Sequence, residues 1–558
     1  MPMMPGKTAL LELLRQEGVR VIFGNPGTTE LPLMDALATE RELRYVLALQ
    51  EAPAMAMADG YAQASGECVA VNLHAAPGLG NALGMLYDAQ KAGSPLLVTA
   101  GQHEQRFNFT EPLLWADLPS IARPFVKWSE EVRRLEDLPR AIHRAVKTAL
   151  APPTGPVFLS LPGDILTGSA DLDLGAPSRV AFGIRGDSAA VARAAEVIAK
   201  AKSPVIMAGD AVAQGDALLE VAALAEVLGA PVYDESMASR AAFPSTHPLY
   251  RGPLVRLPEV IRGMLSQHDL LISIGGDLFT LSLPGSGEAM PEDYPVVHLD
   301  TNPWELAKNY PETVSILGEP KATLPELTAA VIAARSAPQA EAAVKRLEHV
   351  KAEGVASLAK LNAMADAVCE RHPIHPLALM QTIGRQLPDD AVVIDETVSS
   401  GNGLRRFLRS NDAQSFFGLR GGGIGWGLPA AIGVKLALPD RPVVALIGDG
   451  SALYTIQGLW TAANQRLKIV FVILNNTSYR ILKQRTNAMK GLAAQSDIYV
   501  AMDLDSPAID FVSVARGFGL DAHKVSTLGD FEELLDQALA ADGPTLIDVE
   551  VDRSWKPV

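Results

Sequence analysis

The chain has 558 residues, enough for about three domains at roughly 100–200 residues each. Hydrophobic residues make up 48% and charged residues 20%, the balance of a globular protein that buries large cores. With 48 Lys and Arg against 64 Asp and Glu the formal charge is −16, which argues against general nucleic-acid binding, because that needs cations to neutralise phosphates.

Met1 to Gly6 carry no apolar signal core, and Lys7 leads into a mixed helix. Apolar runs at Val19–Phe23, Val69–Leu73, Leu96–Thr99 and Val157–Leu161 read as buried parallel strands with helices between them. A loop with Pro162, Gly163 and Gly168 closes this first block. A second block has strands at Val205–Ala208, Leu270–Ile274 and Val296–Leu299, with helices such as Ala189–Lys200. A helical stretch rich in Ala, Glu and Lys, about 337–365, reads as a linker. The third block has strands at Val392–Ile394, Val443–Ile447, Val470–Leu474 and Thr545–Val549. The alternation predicts an α/β protein of three doubly wound parallel-sheet domains, 1–170, 185–335 and 371–558. Blocks one and three read as weak copies of each other, as Val69 through Thr99 and Val443 through Leu474 show. Cys68 and Cys369 lie far apart and read as buried thiols of a reducing compartment. No segment reaches the roughly 20 apolar residues that span a bilayer, so no membrane partner and a cytoplasmic location are expected.

Active sites in such sheets form at the carboxyl ends of the strands. The sharpest signal sits there: the run Val443–Ile447 delivers Gly448-Asp449-Gly450-Ser451, and the next strand delivers Asn475-Asn476. Mg²⁺ takes near-octahedral oxygen ligands, usually shared with phosphates. Asp449 offers a carboxylate oxygen, Asn476 an amide oxygen and Ser478 a backbone carbonyl. Gly448 and Gly450 let the backbone approach a diphosphate, and a helix from about Ser451 points its N-terminus at the same charge. A plain Asp-Gly turn is the alternative; the asparagines at the next strand end weigh against it. Gly6-Lys7-Thr8 lacks the strand and glycine of a P-loop, and the glycines of 421–427 are out of register for a dinucleotide fingerprint.

Gly448-Asp449-Gly450 with Asn475-Asn476 resembles the cofactor motif of thiamine-diphosphate enzymes. Phe23-Gly24-Asn25-Pro26-Gly27-Thr28-Thr29-Glu30 resembles the N-terminal loop of benzoylformate decarboxylase. So do Leu49-Gln50-Glu51-Ala52, Asn72 to Gly78 and Gly423 to Pro429. Val297-His298-Leu299-Asp300 is closer to acetolactate synthase. The resemblance implies thiamine diphosphate and Mg²⁺ as cofactors. It implies cleavage or formation of a C–C bond beside a carbonyl, foremost non-oxidative decarboxylation of a 2-keto acid with carboligase side activity. An acetolactate-synthase-like carboligase or a 2-hydroxyacyl-CoA lyase is the alternative. It leaves open whether the central block holds FAD, ADP or nothing. It also implies a homotetramer of dimers, with each cofactor between block one of one subunit and block three of another. An inactive regulatory homologue is disfavoured by intact Glu51, Asp449 and Asn476.

The roles it implies are specific. Glu51 hydrogen-bonds the aminopyrimidine ring and shifts it to the imino form that takes the thiazolium C2 proton; a surface glutamate is the alternative. Ile424 props the cofactor in its bent form, or is an ordinary core residue. His74 and Thr28 face the substrate carboxylate, or are a strand-end histidine and a turn threonine. Asn25, Pro26, Ser399 and Ser451 fall at the cofactor, and Leu113, Leu114, Ile481 and Arg485 along the substrate pocket. Two stretches depart from benzoylformate decarboxylase. Gly275 to Ser282 contains no histidine where the decarboxylase has one. Tyr479 to Arg485 carries Arg480, Lys483 and Arg485, either a solvated face or a site for a polar or anionic substrate tail. Helical spacing lets at most one or two of these cations reach a pocket.

Overall fold

The structure, a computed structural model, describes residues 3–235, 238–281, 285 and 287–554. Strand β1 (Met3–Pro5) opens the chain. The first sheet has six parallel strands: β2 (Val21–Gly24), β3 (Arg44–Leu47), β4 (Val69–Leu73), β5 (Leu96–Gln102), β6 (Ser129–Glu131) and β7 (Val157–Pro162). β8 (Ser169–Asp171) pairs antiparallel with β1 and ties the end of this block to its start. The sequence predicts only a loop there; the residues form a short helix, Gly163–Thr167, followed by β8.

The central sheet comprises β9 (Pro204–Ala208), β10 (Val232–Asp234), β11 (Tyr250–Pro253), β12 (Leu270–Ile274), β13 (Val296–Asp300) and β14 (Val314–Leu317). The third comprises β15 (Val392–Glu396), β16 (Phe416–Gly418), β17 (Val443–Gly448), β18 (Ile469–Asn475), β19 (Asp521–Val525) and β20 (Thr545–Glu550). The orders across the sheets are β3-β2-β4-β5-β7-β6, β11-β10-β9-β12-β13-β14 and β16-β15-β17-β18-β20-β19. Numbered within each block, the first and third share the order 2-1-3-4-6-5, so the two blocks that read as copies in sequence are copies in topology. The central sheet has the order 3-2-1-4-5-6 of the doubly wound dinucleotide folds.

One apolar core spans the first and third blocks, and two separate clusters fill the central block. The joint between first and third is a pair of antiparallel helices, Glu51–Ser65 and Gly427–Ala437. Their backbones touch: a Cβ on Gly60 would lie 2.3 Å from the Ala430 carbonyl oxygen, and one on Gly433 would lie 1.8 Å from that of Met57. Trp426 Nε1 donates to buried Asp59 Oδ2 at 2.7 Å at one end of this pair. The expected linker is a single helix, Ala337–Asp366, docked on the central block rather than free: Arg251 Nη2 donates to the Val350 carbonyl at 2.6 Å, and Arg346 Nε to that of Leu228 at 2.9 Å. Among the described residues no helix is long and apolar enough to cross a membrane.

Candidate active site

Chemistry gathers at the carboxyl ends of the first and third sheets. β17 ends in Gly448, and Asp449 begins the helix Asp449–Thr455. Asp449 is buried. Its Oδ1 accepts from the Gly450 amide at 2.9 Å, while its Oδ2 is buried with no hydrogen-bond partner. Burial pushes its pKa up to about 6, against the backbone N–H groups of Gly450, Thr477, Ser478 and Asn476. Those amides place the turn after β18 beside the carboxylate. Asn476 and Ser478 are buried in that turn, and the Asn476 amide oxygen accepts from the Ser478 N–H at 3.1 Å. Asn475 is committed elsewhere, donating to Asp548 at 3.0 Å. A buried carboxylate oxygen without a partner is costly unless a cation or donor meets it. The donor set of carboxylate, amide and carbonyl oxygen suits a hard cation that borrows its remaining ligands from phosphates. Among the described residues no group of three His, Cys, Asp or Glu offers a different metal site. A Cβ on Gly450 would lie 2.6 Å from the Tyr479 ring, so glycine is required there, whereas one on Gly448 would make only an ordinary contact, 3.7 Å from the Glu396 carbonyl oxygen.

Ile424 stands half-buried on a loop held from several sides. The Gly423 amide donates to Asp88 Oδ1 at 3.0 Å, and the Gly425 and Gly427 amides to the two oxygens of Glu396 at 2.5 Å each. The Ser451 hydroxyl also bonds Glu396. Thr455 Oγ1 donates to the Gly425 carbonyl at 2.6 Å. Burial pushes the Asp88 pKa up to about 8 and that of Glu396 up to about 7. Next to the loop, Arg420 is ion-paired with Glu235 and lies 3.6 Å from Asp210, both at strand ends of the central sheet. Ser399 lies half-buried just after β15, and the buried Ser400 hydroxyl beside it has no partner.

On the first sheet, Glu30 is buried and organises the site. It accepts from the Gly27 and Gly101 amides at 2.9 Å each and from Thr29 Oγ1 at 2.6 Å, and its Oε2 lies 2.9 Å from His74 Nδ1. Thr29 Oγ1 is 3.1 Å from the same nitrogen. A proton on His74 Nδ1 directed at Glu30 leaves Nε2 as the basic nitrogen, and Nε2 has no hydrogen bond among the described residues. A Cβ on Gly27 would lie 2.2 Å from the imidazole, so glycine lets the loop close over the ring. Thr28 is exposed without a side-chain hydrogen bond among the described residues; its neighbour Thr29 touches the histidine. Asn25 and Pro26 lie half-buried between β2 and this cluster. Glu51 is buried at the start of its helix, where Asn81 Nδ2 donates to its Oε2 at 3.0 Å.

Within one chain the first and third blocks meet at Asp88, which accepts from the Gly423 amide, and at Trp426. Trp426 sits against Asp59, eight residues into the helix that Glu51 begins, which is about 12 Å of helix. Along the expected pocket, Leu113 is 85% exposed, and Leu114 beside it has φ 74°. Ile481 and Arg485 lie on the helix Arg480–Ala488. Gly275 to Leu281 brings no histidine, and Ser282 lies outside the described residues. His298 is no replacement: it is buried between Glu312 at 2.6 Å and the Gly276 carbonyl at 3.0 Å. At the strand ends of the central sheet the glycines are used in packing, a Cβ on Gly209 meeting Gly276 at 2.4 Å and one on Gly275 meeting Ala211 at 2.7 Å. Asp210, Glu235 and Asp277 gather there around Arg420. The same strand ends, with Asp210, Ala211, Gly275, Thr301, Asn302 and Gly318, line a cavity of about 860 Å³.

Sequence reasoning passed over Glu30, Thr29, Asp88, Glu396 and Ser400. Glu30 lies inside the Phe23–Glu30 motif, three residues after Gly27, and Glu396 ends an apolar strand as Asp449 follows one. Those signals are readable, whereas Asp88 is marked only by its tertiary contacts.

Three family models match. The N-terminal TPP binding domain of thiamine pyrophosphate enzymes covers residues 4–112, the central domain 191–327 and the C-terminal TPP binding domain 399–549. The chain is 35% identical to benzoylformate decarboxylase of Pseudomonas aeruginosa over 97% of its length and 98% of the relative's. It is 29% identical to acetolactate synthase of Mycobacterium bovis over 97% and 87%. It superposes with TM-score 0.85 and 31% identity on the thiamine diphosphate-dependent 4-hydroxybenzoylformate decarboxylase of Rhodococcus jostii RHA1, over 99% of this chain and 100% of that one.

Proposed function

Because the chain belongs to the thiamine pyrophosphate enzyme family, we propose that it decarboxylates a 2-keto acid to the aldehyde, with carboligation as a side activity. The observation that carries this reading is the histidine held by a buried carboxylate, with His74 Nδ1 2.9 Å from Glu30 and Nε2 left unpaired. Release of an aldehyde consumes one proton for each CO₂ lost. A positioned imidazole is the group best suited to move that proton near neutral pH.

Asp449, Asn476 and the Ser478 carbonyl would hold Mg²⁺ and through it the diphosphate. Bound thiamine diphosphate supplies the electron sink that loss of a carboxyl group from a carbonyl carbon requires. The chain does the positioning. Glu51 would hold or pass a proton at its carboxylate, and Asn81 fixes that side chain. The clamped loop sets the height of Ile424, a proximity effect. Glu30 fixes the tautomer of His74, and the Thr28 hydroxyl offers a donor for a substrate carboxylate. As the family resemblance implies, a second copy would complete each site, within a homotetramer in the cytoplasm.

The second reading, an acetolactate-synthase-like carboligase, is favoured by that similarity and by His298 and Asp300 on β13. NMR of the products separates the two. With single 2-keto acids, thiamine diphosphate and Mg²⁺ in D₂O, decarboxylation gives aldehyde deuterated at the carbonyl carbon as the main product. A main product of 2-hydroxy-2-methyl-3-keto acid from pyruvate would replace this reading with the carboligase.

A further inference from the structure

Three glycines in a row, Gly421 to Gly423, lead from Arg420 to Ile424. Gly421 and Gly422 border the cavity at the central strand ends, and a Cβ on Gly422 would meet nothing within 4 Å. Packing does not hold the loop at that point, and a glycine backbone has more freedom to lose than any other. Its order comes from carboxylates. Asp88 of the first block accepts from the Gly423 amide, and Glu396 of the third from those of Gly425 and Gly427. The near end of the loop is held by the central block, through Arg420.

Three strand ends of the central sheet converge on Arg420. Its Nη1 is ion-paired with Glu235 Oε1, directly after β10. Its Nε lies 3.6 Å from Asp210 Oδ2, after β9, and its Nη2 4.0 Å from Asp277 Oδ2, after β12. These partners are themselves fixed. Glu235 Oε2 accepts from the Asp277 amide at 2.7 Å, and Asp210 accepts from the Ser239 amide at 2.8 Å and hydroxyl at 2.7 Å. Ser239 in turn grips the third block: its carbonyl accepts from the Gly418 amide at 2.8 Å, and Arg240 beside it forms an antiparallel bridge with Phe417 on β16. The chain entering the loop is thus tied to the central block twice, by backbone at Gly418 and by side chain at Arg420. The Arg420 side chain is 15% exposed and that of Glu235 3%. Desolvation offsets much of what such a pair adds to stability, whereas its charge-assisted hydrogen bond fixes where the two backbones sit.

We propose that Arg420 is a positioning residue for the cofactor: by tying the loop to Glu235 it lets the central block set the place of Ile424, and with it the ease of proton loss at the thiazolium C2. The proposal rests on the reading that Ile424 supports bound thiamine diphosphate. The test compares wild type, Arg420→Lys, and Arg420→Met combined with Glu235→Gln, which removes the link without leaving Glu235 charged and unpaired. Two readouts need no substrate. One is amide hydrogen–deuterium exchange of peptides spanning residues 419–427, and the other is C2 exchange of bound thiamine diphosphate with Mg²⁺, followed by NMR. The double variant melts close to wild type, exchanges faster at 419–427 and no faster elsewhere, and slows C2 exchange about tenfold to a hundredfold. Its kcat for a 2-keto acid falls in step while KM changes little. Arg420→Lys, which keeps the charge but not the planar fork, lies between the two. Faster amide exchange spread evenly over all three blocks makes Arg420 a general stabiliser and overturns the proposal. So does a loosened loop with wild-type C2 exchange, or a loop as protected as in wild type. Should the double variant fail to fold, Arg420→Lys decides: slower C2 exchange at an unchanged melting temperature supports the tether, and wild-type C2 exchange overturns it. CO₂ release from no 2-keto acid, with C2 exchange still dependent on Arg420, removes the decarboxylase reading and leaves the tether standing.

Discussion

At the residue scale, the charged groups of the site differ in how openly the sequence shows them. Asp449 is legible because a strand, a glycine turn and a distant asparagine pair leave few other uses for that carboxylate. Glu30 is not, because its role comes from the Gly101 amide and His74, residues 71 and 44 positions away. Asp449→Ala removes the one carboxylate of the proposed metal site and should abolish tight thiamine diphosphate binding with Mg²⁺. Calorimetry at wild-type affinity in the variant would remove Asp449 from that role. Glu51→Gln should leave the cofactor bound and slow turnover on the order of a hundredfold, about 2.7 kcal/mol. Unchanged hydrogen–deuterium exchange at the thiazolium C2 contradicts this. Asp88 gives a pH prediction. Burial, with repulsion from Asp59 and Glu396, raises its pKa to about 8, above roughly 3.9 in an unfolded chain. The native state thus binds a proton that the unfolded state has lost, and this contribution to stability declines as pH rises through about 8. Asp88→Asn should flatten that decline: between pH 6 and pH 9 its apparent melting temperature falls less than that of wild type. Parallel falls would mean that Asp88 is not protonated in the native protein.

At the element scale, the strands read from sequence are those buried on both faces. In the first sheet these are β2, β4, β5 and β7, and in the third β15, β17, β18 and β20. The strands that escape notice, β3 and β6 in one sheet and β16 and β19 in the other, are the edges. An interior parallel strand is a continuous apolar run, whereas an edge strand such as Ser129–Glu131 or Asp521–Val525 is short or carries polar residues toward solvent. In the central sheet the edges β11 and β14 are missed as well, and so is β10, at only three residues. The helix pair that joins the first and third blocks is equally silent in sequence, since Gly60 and Gly433 declare themselves only when the backbones meet. Gly433→Ala puts a methyl group where the Met57 carbonyl oxygen lies at 1.8 Å. It should destabilise by about 1–3 kcal/mol through forced separation of the helices. A calorimetric melt that coincides with wild type would show that the helices slide apart without cost.

At the scale of the whole molecule, the repeated 2-1-3-4-6-5 order gives each chain two related sheets, which in the proposed mechanism would carry different halves of one chemistry, Glu51 and His74 on the first and Asp449 and Asn476 on the third. If each working site draws one half from each of two chains, Glu51→Gln and Asp449→Ala proteins, both nearly inactive alone, should regain activity when refolded together. A hybrid dimer then contains one intact site, so random pairing restores about a quarter of wild-type activity. Failure to complement would mean that each chain closes its own site. The central claim is cofactor-dependent loss of CO₂ from a 2-keto acid, and the most direct measurement strips the protein of bound cofactor and metal, then follows CO₂ release from a panel of 2-keto acids on restoring each component. The account predicts release only with thiamine diphosphate and Mg²⁺ together, matched one to one by aldehyde, and none from Asp449→Ala. CO₂ release that persists without either component, or its absence from every 2-keto acid with both present, would contradict it.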